Sequence, residues 1–315
     1  MVEGIVAFAG PVDRRRRTGY VMVVTSAVLF AINGTISKIM LVGGMPATQL
    51  TQLRSGGAFL GLWIYLLIRR PRSLRFTRQE IPWIALYGIL GFAMTQYLYF
   101  VAIKRLPVGI ALLLEFTAPI FVALWARFVL HEPVRRRVWA ALALAMVGLA
   151  LVAQVWGGLA LDGLGVAAAL GASLALSIYF ILGERMVGVR DPVSLTCLAF
   201  GFGSIFWAIL APWWKFPAHI LSSQISLLGN LSTSYVPMWV PAIYLVVGGT
   251  LLPFTLSIGA LRHLRAAQVG VVGMVEPVVA ALVAYLWLGE ELGWVQLVGG
   301  AVVLTGVVLA ETSRR

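Results

Sequence analysis

Apolar residues run along this chain in long unbroken blocks separated by short polar breaks, without the alternation that marks a half-buried strand. Ten blocks stand out, near 19–41, 47–68, 81–103, 108–130, 136–155, 162–186, 192–214, 238–260, 266–288 and 294–311. At ~1.5 Å per residue, about 20 helical residues cover the ~30 Å hydrocarbon layer of a bilayer. Backbone groups in lipid must be satisfied within a helix or a closed barrel, and barrel strands would be short and alternating. The pattern therefore predicts an all-α integral membrane protein with ten transmembrane helices.

Composition agrees: 60% of the 315 residues are hydrophobic and 11% are charged, too few charges to coat a soluble globule of this length. The net charge of +12 raises the question of nucleic acid, but its distribution answers otherwise. With the N-terminus in the cytoplasm, eighteen basic residues fall on inner loops and tails, including Arg14 to Arg17, Arg69 to Arg78 and Arg135 to Arg137. Three fall outside, Lys104, Arg105 and Lys215. This positive-inside bias sets orientation, with both termini cytoplasmic in a cell inner membrane or plasma membrane, and excludes nucleic acid as a partner. The arginines before the first block precede no cleavage site, so the start is no signal peptide. The single cysteine, Cys197, forms no internal disulfide and builds no thiolate metal site.

The chain repeats itself. At a shift of 158 residues, Gly91 meets Gly249, Ala102 meets Ala260, Pro119 meets Pro277, Leu130 meets Leu288, Glu132 meets Glu290 and Gly148 meets Gly306. The shift carries blocks three to five onto eight to ten. Five is odd, so the second half enters the membrane from the opposite side, giving two inverted five-helix repeats, a geometry of alternating-access carriers. The expected division is a basic tail at 1–18, a first repeat at 19–156, a second at 157–311 and a short tail at 312–315.

The segment from Ala102 to Leu130 followed by Glu132, and its counterpart from Ala260 to Leu288 followed by Gly289-Glu290-Glu291, resemble the recurring signature of the EamA-type families of the drug/metabolite transporter superfamily. That signature carries an Ala-Leu pair, a mid-helix proline and a closing Leu-Gly-Glu. The second half keeps it well, while the first has His131-Glu132-Pro133 at its close. The resemblance covers 19 to 311, and within the superfamily it is nearest to the YddG-type exporters of aromatic amino acids. It implies a secondary transporter exporting small metabolites such as neutral or aromatic amino acids and related amphipathic compounds, working as a monomer. Nucleotide-sugar or phosphate-ester exchange within the same superfamily is the alternative, and a membrane enzyme or scaffold is a more distant one.

Candidate site residues are polar groups placed where lipid would reject them. Glu276 lies ten residues into block nine, about 15 Å deep, next to Pro277, whose missing N–H frees the carbonyl of Gly273. In block four Pro119 likewise frees the carbonyl of Glu115. Both prolines should kink their helices at the membrane centre. Arg54 and Glu115 come out at matching depth, either as a structural ion pair or as substrate contacts. Asn33 and Tyr179 occupy the first helix of each repeat. Gln96, Tyr97 and Tyr99 add polar and aromatic surface in block three, suited to stacking on an aromatic substrate. A proton is a second cargo that a central carboxylate could carry. His131, His219 and His263 are scattered, no phosphate-binding loop with Lys occurs, and no nucleophile elbow appears. The sequence thus predicts no catalytic residue, no metal site and no cofactor.

Overall fold

A computed structural model describes residues 11–103, 105–106, 108–153, 162–289 and 293–312. Parts of both expected tails, and Glu290 and Glu291, lie outside them. The described chain is helical apart from loops and one small hairpin. The helices are α1 (Pro11–Val42), α2 (Ala47–Arg69), α3 (81–103), α4a (Val108–Glu115) and α4b (Ala118–Phe128), and α5 (Arg136–Val152). After these come α6 (Gly163–Met186), α7 (Pro192–Leu210), α8 (239–260), α9a (Ala266–Gly273), α9b (Val275–Val283) with a π turn at Ala284–Leu288, and α10 (Trp294–Thr312). Seven stretches are long and apolar enough to cross a membrane: those beginning at Arg15, Ile81, Ile110, Gly163, Pro192, Trp239 and Ala266. Helices α2, α5 and α10 are further helices of the bundle.

Contacts sort the connections onto two faces. On one face the start of α1 at Gly19 meets His263 and Leu264, Arg190 meets Glu80, and Arg265 meets Glu132. We call this the arginine-rich face. On the other, Gly43 meets Ile225 and Met238, Arg105 pairs with Asp162 at 3.5 Å, and Gln296 Nε2 donates to the carbonyl of Val152 at 3.4 Å. We call this the hairpin face, after strands β1 (Gln224–Ser226) and β2 (Tyr235–Pro237), which pair antiparallel in the loop between α7 and α8.

Helix α3 contains a π segment at Tyr87–Met94 and α8 one at Val247–Leu251, so Gly91 and Gly249 sit in equivalent irregular turns. Chemistry explains how each is tolerated. Pro253 has no N–H for the carbonyl of Gly249, four residues back, and Arg54 Nη2 supplies a donor at 3.3 Å instead. In α3 the hydroxyl of Thr95 donates to the carbonyl of Gly91 at 3.0 Å. Helices α5 and α10 pack at backbone distance: a Cβ at Gly148 would lie 2.6 Å from the nitrogen of Val303, and one at Gly306 would lie 2.9 Å from the oxygen of Ala141. Their far faces leave Val147, Leu297 and Val308 exposed, an apolar surface suited to lipid.

The expected proline kinks are breaks. Helix α4 stops at Glu115 and restarts at Ala118, and α9 is interrupted at Met274. Ser173 and Ser177 of α6 service the first break, Ser173 sharing a hydrogen bond with Thr117 at 2.8 Å and Ser177 donating to the carbonyl of Ala118 at 3.1 Å. Irregular backbone at this depth is stable because protein hydroxyls replace the missing intrahelical partners.

Candidate functional site

The two breaks border a cavity of about 690 Å³ walled by α1, α3, α4a, α6, α8 and α9, with Arg54 reaching in from α2. Its mouth lies at the hairpin face, between Leu41 and Val42 of α1 and Ala284 and Leu288 of α9. Its floor is aromatic. Tyr179, Phe180 and Phe254 line it, and behind them Phe92 stacks edge-on to Tyr179 at 5.3 Å, while the Tyr87 ring lies parallel to Tyr179 at 5.8 Å. Tyr87, Phe92 and Phe200 are almost fully buried, so this floor is a dry plug between the cavity and the arginine-rich face.

Below the plug, polar links close that face. Arg190, whose side chain is 9% exposed, donates to the carbonyls of Ser73 (2.9 Å) and Arg75 (2.8 Å), to Ser194 Oγ (3.0 Å) and to both carboxylate oxygens of Glu80 (3.2 and 3.1 Å). Asp191 caps α7 through the N–H groups of Val193 and Ser194 and pairs with Arg70 at 3.6 Å and Arg262 at 3.9 Å. Loops following α2, α6 and α8 are thereby tied together. The Thr77 N–H, and then Arg190, hold the Glu80 carboxyl below its usual value.

Seven of the eight polar residues singled out in the sequence line the cavity: Asn33, Arg54, Gln96, Tyr99, Glu115, Tyr179 and Glu276. Tyr97 does not. It is 42% exposed and packs its ring 5.4 Å from that of Trp207, on another face of α3. Pro119 and Pro277 sit in the first turns of α4b and α9b, just beyond the breaks. The Arg54 to Glu115 ion pair is absent among the described residues. Helix α2 packs against α7 and α8, and the Arg54 guanidinium instead bonds Thr250 Oγ1 at 3.1 Å and the carbonyl of Gly249. Tyr99 and Glu276 nevertheless each lie within electrostatic reach of Arg54 and Glu115 and of each other, making one charged centre at the level of the helix breaks. Neither carboxylate has an ion pair or a side-chain hydrogen bond among the described residues. Both are thus available to a bound cationic group.

Sequence reasoning passed over Lys38, Ser26, Thr35 and Phe30, all in the cavity wall. Lys38 could have been found as a cation inside the first apolar block, close to its end. The other three carry no signal that separates them from packing residues. Among the described residues no cluster of His, Cys, Asp and Glu could hold a metal. The chemistry of the site is that of reversible binding: carboxylates and a guanidinium for opposite charges, set in an aromatic wall for an apolar body.

Residues 17–154, and again 163–312, match the sequence pattern of the EamA-like transporter family. The chain is 28% identical over 297 residues to an uncharacterized transporter of Archaeoglobus fulgidus, an alignment spanning 94% of this chain and 97% of that one. It is 30% identical over 258 residues to the threonine/homoserine exporter RhtA of Escherichia coli (strain K12), spanning 81% and 80%. A solved crystal structure of 20% sequence identity superposes with a TM-score of 0.73, covering 94% of this chain and 96% of the other, which shows a common fold.

Proposed function

The chain belongs to the EamA-like transporter family, and from that premise we propose that it is a secondary carrier exporting neutral amino acids, with aromatic and related amphipathic compounds in its range. It is a membrane transporter, and its relatives are named as transporters rather than enzymes. The proposed mechanism is alternating access between two inverted five-helix halves, 19–156 and 157–311. The 158-residue shift, the two successive family matches, the paired π turns and the paired helix breaks support that division. The arginine-rich face is assigned to the cytoplasm by its basic excess. The structure then corresponds to a state open to the outside, with the aromatic plug and the Arg190 links as the closed inner gate.

One observation carries the substrate class: Glu115, Glu276 and Arg54 form a mixed-charge centre within an aromatic cavity. A zwitterion places its ammonium at the carboxylates and its carboxylate near the cation, and its side chain lies on the aromatic wall. A phosphate ester would need several converging cations, whereas the described lining residues include two, Lys38 and Arg54, and Arg54 already spends two donors on α8. The name of the Escherichia coli relative favours amino acids, though neither named relative points to aromatic ones in particular. Purified protein in liposomes, offered radiolabelled amino acids and sugar phosphates side by side, tests the reading. Saturable amino-acid flux is expected; phosphate-ester counterflow without amino-acid flux would reverse it.

A further inference from the structure

Buried polar atoms without hydrogen-bond partners are rare in folded proteins, because each has lost water and gained nothing. Ten such side-chain atoms occur among the described residues, and five of them, the Tyr179 hydroxyl included, belong to residues that line the cavity. Asn33 Oδ1 and Ser37 Oγ, one turn apart on α1, have no partner, and neither does either end of the Gln96 amide on α3. These side chains are only 5%, 6% and 7% exposed. The Gln96 observation does not depend on which way the amide is turned, since its oxygen and its nitrogen are both unpaired.

The Asn33 oxygen packs against Gly249 of α8, whereas both ends of the Gln96 amide are left over. A leucine at position 96 would fill similar space beside Tyr99 and Phe100 without stranding a donor and an acceptor. A primary amide that offers both fits a group that also gives and takes: a hydroxyl or a carboxamide. Its location says where that group sits on a ligand. Tyr99, which lies within electrostatic reach of Glu115, Glu276 and Arg54, is three residues further along α3, about 4.5 Å along the axis. A ligand with its charged head at that centre would bring its own side chain to Gln96.

We propose that Gln96 is the specificity-determining residue of the cavity and selects neutral amino acids whose side chain bears a hydroxyl or carboxamide. This rests on the amino-acid reading above and narrows it. Selection of this kind is asymmetric. An apolar analogue of equal size leaves the buried amide unpaired and is rejected far more strongly than a hydrophobic pocket rejects an added hydroxyl. Gln96 touches the side chain of the substrate and leaves the charged head to Glu115 and Glu276.

The test uses pairs that differ by little more than one hydroxyl, threonine against valine and tyrosine against phenylalanine, with the full-length protein in liposomes. At least a tenfold preference for the hydroxylated member of one pair is expected, and Gln96→Leu should bring that ratio to within twofold while still carrying the apolar member. Equal transport within both pairs by the parent protein overturns the inference and leaves the amino-acid reading standing. A preference that survives Gln96→Leu overturns it too. If no amino acid is carried at all, the reading beneath it falls as well. Should the leucine variant fail to insert, Gln96→Met takes its place. Ligand-induced shifts in the melting of the parent protein with the same four amino acids give an independent ratio, and equal shifts within both pairs count against the inference.

Discussion

Replacing Arg190 with alanine should open the arginine-rich face. The guanidinium holds the segment after α2 to the start of α7 by bonds to two backbone carbonyls, one hydroxyl and a carboxylate. Breaking a buried ion pair from one side costs about 3–5 kcal/mol. The Glu80 side chain is 28% exposed, so water recovers part of that loss, and about 2–3 kcal/mol is a fair expectation. If these bonds exist only while the inner gate is shut, their loss shifts the open-to-shut ratio roughly 30- to 150-fold. Arg190→Lys keeps the charge but lacks the planar fork, and should fall between the two. The assay places a cysteine at Ser257, in the cavity wall, on a Cys197→Ala background, and measures its reaction with an impermeant thiol reagent applied from each side. Labelling from the arginine-rich side should rise at least tenfold as labelling from the hairpin side falls. A rise on both sides together would mean simple loss of structure, and no change on either would refute the latch.

Three further expectations come from other parts of the molecule. Glu276→Gln, inserted normally, should either weaken substrate affinity or abolish the pH dependence of transport, and Pro277→Ala should slow turnover at nearly constant affinity; parental behaviour of both variants across pH would exclude a transport role for this helix break. Because the Glu80 carboxyl is held below its ordinary value near 4.5, its contribution to stability is complete above that value and vanishes as pH falls through the lowered one. The melting temperatures of parent and Glu80→Gln should therefore differ at about pH 7 and converge as pH falls through the lowered value, and a gap that widens in acid would contradict the sign. Gly148→Val should cost about 2–3 kcal/mol, because its Cβ would meet the Val303 nitrogen and the Gly299 carbonyl of α10 at 2.6 and 2.7 Å. An unchanged melting temperature in detergent would show that α5 and α10 are free to separate.

Helix positions were legible because lipid imposes a length and a polarity on each block, and the observed ends fall within a few residues of the expected ones for most helices. Two ends moved for local reasons. Helix α1 begins at Pro11, since the arginines extend it beyond the apolar block, and α7 stops at Leu210, before Pro212. The breaks were half legible. A proline announces a missing N–H, but not the hydroxyls of Ser173 and Ser177 that serve the open backbone of the α4 break. Arg54 shows the limit of depth arguments: residue count along a helix gives height in the membrane, not the direction in which a side chain points. Its partner therefore proved to be the π turn of α8 rather than Glu115. That turn was readable only as a pair of matched glycines. The hairpin between α7 and α8 went unforeseen, since three-residue strands carry no usable alternation.

That hairpin is fastened to both lips of the cavity mouth. Ile225 and Met238 pack on Gly43 at the end of α1, while Asn230 Nδ2 donates to the carbonyl of Leu286 at 3.0 Å and Trp287 Nε1 to that of Leu227 at 3.0 Å at the end of α9. A flap attached to one lip could swing aside. A strap attached to both limits how far they can part, as a hinge stop limits a door. The widest solute that can pass is then set by a short sheet outside the bundle rather than by the helices that bind it. Paired spin labels at Leu41 and Leu286 would show this as a separation that grows when Asn230→Ala cuts the strap, and an unchanged separation would return that control to the helices.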